Sequence, residues 1–337
     1  MIFRLLFLAA CCAAGFASAQ TAPAAALRPE DTPALPADDP ADTPAAEPEL
    51  PAGRPVLDWT EAQIELHRRG FSCGSIDGVR GPQTARALQA WQRSESLRET
   101  GELDDPTRQA LLIVDPVFTT HTFTAEELGR RKPLPETWLE KSQRTELYYA
   151  TALELAAERH HASPRFLQRL NPDFNWDELL PGAIIKVPAV APFTTTRKAA
   201  RIHVRLADHV LEVTDDSGAV VLHCPVSIAR DVEKRPVGEL HVTVVIPNPD
   251  YTFDPATFPE SAEAQQLGRK LIFPPGPNNP VGLAWIGLDR TGYGIHGTPD
   301  PEKVGRTESH GCLRLANWDA VALLSLAWVG LPVVVEP

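Results

Sequence analysis

The sequence predicts a multidomain α+β chain: a small three-helix domain, a short mixed module, and a larger, mostly-β domain towards the C-terminus. Three observations lead there. Within residues 57–112 apolar side chains recur at helical spacing. From Ala200 onward the period becomes two, the alternation of half-buried strands. Ahead of both, residues 20–56 consist largely of Ala, Pro, Thr, Asp and Glu with no apolar period, which predicts a solvated tether. The 337 residues leave room for two or three domains, at roughly 150 residues each.

Residues 1–19 read as a secretory signal, with Arg4 before a short apolar run and Ala17-Ser18-Ala19 before Gln20. Leu8-Ala9-Ala10-Cys11 offers a second reading, a lipobox with a lipid-bearing Cys11. Free export is preferred, because the apolar segment before Cys11 is only about seven residues. No later segment is apolar for long enough to predict a membrane span. Removal of the signal leaves Cys73, Cys224 and Cys312, an odd number, so at least one thiol is free in an oxidising compartment. The net charge of −12 argues against nucleic acid and against electrostatic adhesion to anionic surfaces. The tether acids Glu30, Asp31, Asp38, Asp39, Asp42, Glu47 and Glu49 carry part of that charge and serve solubility.

In the helical domain, Thr60 is expected to cap a helix that runs to Arg69 and ends at Gly70. Ile76-Asp77-Gly78 has turn chemistry. A second helix follows Gly81 with Thr84, Ala87, Leu88 and Trp91 on one face, and Asp105-Pro106 caps a third. Cys73 is expected to be a small packed side chain. Residues 57–113 resemble the small peptidoglycan-binding domain family at Leu66, Gly70-Phe71, Ile76-Asp77-Gly78, Gly81, Thr84, Ala87, Trp91-Gln92, Thr100-Gly101, Leu103-Asp104 and Thr107.

Residues 113–135 read as a connector ending at Pro133 and Pro135. In residues 137–190, Leu153, Ala156 and Ala157 suggest one helix, and Ser163-Pro164 starts a second that Asn171-Pro172 stops. Pro181-Gly182 turns into a strand over residues 184–188. This module resembles the LysM family at Leu170-Asn171-Pro172 and across residues 182–188, which implies a βααβ fold and glycan binding. Tyr149-Ala150-Thr151 stands where that family has Gly-Asp-Thr, so a structural spacer is an equal alternative. His160-His161 reads as a solvated pair and not a metal site, because adjacent helical positions do not share a face.

In the last domain, Ile202, Val204 and Leu206 alternate with polar residues, Leu211 and Val213 follow, and Asp215-Asp216-Ser217-Gly218 makes a hairpin. Residues 220–227 and 239–246 are further strands. The proline-rich segment 247–280 predicts a long lid or binding loop with one polar helical patch. Strand character returns over 281–295, a helix is expected at 318–328, and a last strand at 333–335.

Reactive residue types concentrate between Tyr293 and Arg314. His296-Gly297-Thr298 is followed by Ser309-His310-Gly311-Cys312-Leu313-Arg314. A thiol titrates near 8.5, so a nucleophilic Cys312 needs a base or a positive neighbour. Arg314 lies on its face of an extended segment and could also hold a substrate carboxylate. Gly311 leaves room for a carbonyl and exposes backbone N–H groups for an oxyanion hole. Spacing leaves the base open: His310 is two residues away, whereas His296 needs a loop to close.

The segment resembles the L,D-transpeptidase (YkuD-type) catalytic domain, whose signature is a His-Gly-Thr stretch followed by Ser-His-Gly-Cys-hydrophobic-Arg. The likeness spans residues 199–336 and includes Pro225-Val226-Ser227-Ile228, Pro236-Val237-Gly238, the run from Pro274 to Pro280, and Tyr293-Gly294-Ile295. Ala229 replaces a usual Gly, and Lys234-Arg235 a usual Thr-Pro. The resemblance implies that Cys312 is the nucleophile and His296 its proton acceptor and donor. It implies that the Gly297 carbonyl orients the imidazole, that His310 shapes the site, and that Arg314, Ser309, Gly311 and Tyr293 contact substrate. The implied reaction is acyl transfer from a peptidoglycan stem peptide, with release of D-Ala and no metal or organic cofactor. A diamino-acid amine, a lipoprotein lysine or water would be the acceptor, and carbapenems covalent inhibitors. The rival class is an inactive wall-binding protein.

Overall fold

The computed structural model describes residues 53–257, 261–306 and 311–337. The signal segment, Cys11, residues 20–52 of the tether, Ser309 and His310 lie outside the described residues.

The last residues of the expected tether, from Gly53 to Val56, belong to the first domain. Strand β1 (Arg54–Pro55) pairs antiparallel with β2 (Leu112–Ile113), and Val56 is buried. Between them stand helices α1 (Trp59–Arg68), α2 (Pro82–Ser94) and α3 (Asp105–Ala110). The α1 cap is Asp58, not Thr60, because its carboxylate accepts from Glu61 N at 2.9 Å. Likewise Asp104, not Asp105, caps α3, and Pro106 falls in the first turn. Leu66, Phe71, Cys73, Leu88 and Trp91 form the core of this domain. Burial raises the Cys73 thiol, as expected of an inert packed cysteine.

The segment expected to be a connector, residues 113–135, contains the first strand of the middle module. Strand β3 (Phe118–Thr122) is followed by α4 (Ala125–Arg130), α5 (Trp138–Ser142), α6 (Ala152–Arg159), α7 (Pro164–Leu170) and β4 (Ile184–Pro188). β3 and β4 pair antiparallel, Phe118 opposite Pro188. The module is therefore a βααβ unit that starts near residue 118, with α4 and α5 as an insertion between its first strand and its first main helix. Phe123, Leu155, Ala156, Leu167, Ile185 and Val187 fill its core.

His160 and His161 diverge as expected, but they are not solvated. His160 Nε2 lies 3.3 Å from His121 Nδ1, while His161 stacks on Trp318 of the last domain at 5.1 Å. Burial lowers both below the ordinary imidazole value, so both are neutral near pH 7.

The last domain contains β5 (Arg201–Arg205), β6 (Val210–Thr214), β7 (Val220–Pro225), β8 (Gly238–Pro247), β9 (Tyr251–Phe253), α8 (Ala262–Leu267), β10 (Leu271–Phe273), β11 (Ala284–Leu288), β12 (Gly294–His296), β13 (Leu313–Arg314), α9 (Asn317–Leu326) and β14 (Pro332–Glu336). Among the described residues eight strands form one sheet in the order β13-β12-β11-β8-β14-β5-β6-β7. Ile202, Val204, Val213, Ile286, Ile295 and Val333 line its core face, and Leu323 of α9 packs on them. Just past β7, Ser227 and Arg314 exchange backbone hydrogen bonds at 2.9 and 3.0 Å, so the two ends of the sheet meet.

The free edge of β7 is covered by the first domain. Ser72 N donates to His223 O, and His223 N to Gly70 O, both at 2.8 Å. Edge coverage of this kind blocks pairing with other chains. Gly70 suits the position: its φ is +82°, and a Cβ would meet Val221 O at 2.8 Å.

The segment after β8 is less irregular than its prolines predict. β9 and β10 pair antiparallel, with α8 between them. Phe253, Phe273 and Leu271 cluster with Leu147, and Trp138 of α5 stacks on Phe253 at 5.0 Å and on Phe273 at 5.6 Å. The insertion of the middle module thus backs this excursion.

Candidate active site

Strand register builds the site. β12 and β13 run parallel with Ile295 opposite Leu313 and His296 opposite Arg314. Ile295 and Leu313 are buried in the core. Side chains alternate across a sheet, so His296 and Arg314 point to the other face, and Cys312, one step back from Leu313, joins them. β11 adds Trp285, the register partner of His296, whose ring stacks on the imidazole at 5.7 Å. Gly294 keeps this face open beneath the indole, since a Cβ there would lie 2.6 Å from the Trp285 ring.

Hydrogen bonding sets the tautomer of the histidine. His296 Nδ1 lies 2.6 Å from Gly297 O. A carbonyl can only accept, so Nδ1 carries the proton and Nε2 is left as the basic nitrogen. Burial pushes the His296 pKa down to about 4, and Arg314 lowers it further against the opposing Gly297 contact. The imidazole is therefore neutral and able to accept a proton at neutral pH.

Cys312 is half-buried, and its thiol donates to Gly292 O at 3.6 Å. Burial raises its pKa, while the Gly294 backbone and Arg314 pull it down. Arg314 alone therefore does not hold a thiolate, and the resting pair is thiol and neutral imidazole. Arg314 is itself lowered by burial and raised by Asp300.

Of the remaining expected site residues, Gly297 packs closely on Asn317, whose Oδ1 would be 2.2 Å from a Cβ at that position. Gly311 faces open space. Tyr293, expected to contact substrate, is half-buried. It leans on the core cluster with the Arg290 guanidinium over its ring at 4.9 Å, because alternation sends it to the same side as Ile295. Sequence reasoning missed Trp285 and also Tyr251, which lies within electrostatic reach of Cys312. Trp285 had a signal: Ala284, Ile286 and Leu288 are the apolar set of β11, so an aromatic ring between them faces outward. Among the described residues, no group of three or more His, Cys, Asp or Glu side chains is placed to hold a metal ion, and no helix is long and apolar enough to cross a membrane.

Comparison with known families agrees with this architecture. Residues 199–335 match the L,D-transpeptidase catalytic domain (YkuD), and residues 57–111 match the "Putative peptidoglycan binding domain". The chain therefore carries a catalytic domain of the L,D-transpeptidase type, preceded by a domain of the peptidoglycan-binding type. It is 26% identical over 185 residues to the "Putative L,D-transpeptidase YkuD" of Bacillus licheniformis, covering 55% of this chain and 93% of that one. It is 35% identical over 115 residues to the "Putative L,D-transpeptidase YqjB" of Bacillus subtilis, covering 33% of this chain and 56% of the relative. Among solved structures, an L,D-transpeptidase from Mycobacterium smegmatis aligns with TM-score 0.33 and 22% identity, covering 41% of this chain and 59% of that one.

Proposed function

We propose that this chain is an L,D-transpeptidase that cross-links peptidoglycan through a thioester on Cys312. The observation that carries the reading is the shared face of Cys312, His296 and Arg314, with a neutral imidazole whose free Nε2 can take the thiol proton. In this mechanism His296 removes the proton as the sulfur attacks the carbonyl of the L-centre of a diamino acid, such as meso-diaminopimelate, in a tetrapeptide stem. Backbone N–H groups at Gly311 and Cys312 receive the developing oxyanion. The C–N bond breaks, His296 returns the proton to the leaving nitrogen, and D-Ala departs. The side-chain amine of a second stem then resolves the thioester and gives a 3→3 cross-link, with no metal or organic cofactor. Arg314 holds the donor carboxylate, and Trp285 and Tyr251 wall the cleft.

The first domain and the LysM-like module hold glycan strands in this reading, and the chain works outside the cytoplasm after export. A carbapenem would acylate Cys312.

The test is purified protein with defined tetrapeptide muropeptides, followed by liquid chromatography and mass spectrometry. The expected products are D-Ala and a 3→3 dimer, both lost in Cys312→Ala. D-Ala without dimers would make the protein a carboxypeptidase, and transfer only to a lipoprotein lysine would make it an anchoring enzyme. Full activity in Cys312→Ala would refute the nucleophile.

A further inference from the structure

The middle module reaches into the support of the catalytic histidine. Glu158 on α6 is buried, and Asn317 Nδ2 donates to both of its carboxylate oxygens, at 3.1 and 3.0 Å. Tyr149 OH donates to Glu158 Oε1 at 2.9 Å. The same Asn317 Nδ2 reaches Pro277 O at 3.1 Å, and Asn317 Oδ1 accepts from Leu283 N at 3.1 Å. That carboxamide is wedged between two glycines: a Cβ on Gly282 would lie 1.9 Å from Asn317 Oδ1, and one on Gly297 would lie 2.2 Å from it. Gly297 in turn supplies the carbonyl that holds His296 Nδ1.

We infer that Glu158 is a positioning residue for His296, acting through Asn317 and Gly297, so that the βααβ module completes the active site of the catalytic domain. The inference rests on the proposed roles of Cys312 and His296. A buried amide keeps one orientation only while each of its polar atoms has a partner. Here Leu283 N and Pro277 O are supplied by the catalytic domain, and the carboxylate facing Nδ2 comes from another module. Removing the carboxylate leaves a buried donor short of acceptors and lets the Asn317–Gly297 contact relax. The groups that face Glu158 are Tyr149, Asn317 and, through its charge, Glu154. Glu154 is itself tied to Asn278 Nδ2 at 2.6 Å.

The experiment uses residues 20–337, the form expected after signal removal, whose cysteines are Cys73, Cys224 and Cys312, and its Glu158→Ala and Glu158→Gln variants. Acylation of Cys312 by meropenem is followed by intact-protein mass spectrometry across pH. Alkylation by iodoacetamide at about pH 9.5, where hydroxide rather than His296 removes the thiol proton, reports the nucleophile and the fold. A folded variant takes one adduct because Cys73 and Cys224 are buried, and an unfolded one takes three. In Glu158→Ala, acylation near neutral pH should fall about tenfold or more, with a displaced acid limb, single-site alkylation and an alkylation rate near wild type. Glu158→Gln should recover part of the rate, because an amide oxygen at the Oε1 position still accepts from Asn317 and Tyr149, whereas the amide nitrogen removes the second acceptor that Asn317 uses. Equal acylation rates and pH profiles in wild type and Glu158→Ala would overturn the inference. So would equal losses of acylation and alkylation, or triple alkylation in both variants, which would mark a merely structural role. A wild-type protein that meropenem never acylates would refute the proposed function itself.

Discussion

Asp319 lies in the first turn of α9, fully enclosed where the first domain meets the catalytic domain, and burial raises its carboxyl to about 8. The Ser72 hydroxyl and Trp318 favour its charged form, but by less than burial disfavours it. Oδ2 has no hydrogen-bond partner. In the unfolded chain the same group titrates near 3.8, so between these values the folded state holds a proton that the unfolded state has lost. The Asp319 contribution is therefore fully present below about pH 4 and is lost as pH rises towards 8, at about 1.4 kcal/mol per pH unit. Across the whole window this amounts to about 6 kcal/mol, of the order of a domain's total stability. Asp319→Asn removes the titration and keeps the shape. Urea unfolding of both proteins from pH 5 to 9 should show the variant gaining on the wild type with each pH unit and levelling off above about 8. Parallel stability curves across that range would refute the claim that this carboxyl is buried as the neutral acid.

Further outcomes follow from the site and its supports. Because His296 is lowered to about 4 and stays neutral above it, the acid limb of the acylation rate should lie near that value. A limb near 6.5 would show an unperturbed imidazole. Gly297→Ala would force a Cβ to within 2.2 Å of Asn317 Oδ1. Acylation should then drop about a hundredfold while single-site alkylation persists, and a variant with normal acylation would show that this contact is unimportant. Trp138→Ala removes the stacks on Phe253 and Phe273 and should cost about 3 kcal/mol locally. Hydrogen exchange within residues 251–273 reads that loss, and unchanged protection would argue against the insertion as a buttress.

Much of the fold was legible because it rests on local periodicity. Thr84, Ala87, Leu88 and Trp91 mark the buried face of α2, and Ile202 and Val204 mark the inner face of β5. The caps shifted by one or two residues because capping-type side chains stand in close succession, Asp58 near Thr60 and Asp104 beside Asp105. Only three-dimensional reach to the N–H in the first turn selects between them. Strand β3 was hidden because its partner, β4, is more than 60 residues away, and pairing at that distance leaves no local spacing to read. His160 and His161 read as solvated for a similar reason, since His121 and Trp318, the groups that cover them, come from distant parts of the chain.

By itself the sequence determined the thiol, the two candidate histidines, the arginine and the order of domains, because these depend on residue type and short spacing. Tertiary structure decided that His296, Arg314 and Cys312 share a face, because parallel register between β12 and β13 is a long-range property. It also decided that the resting pair is uncharged, because desolvation depends on what the rest of the chain packs around the site. The reach of Glu158 into the support of His296 belongs to the same class. A carboxylate at position 158 acquires that role only when one module docks against another.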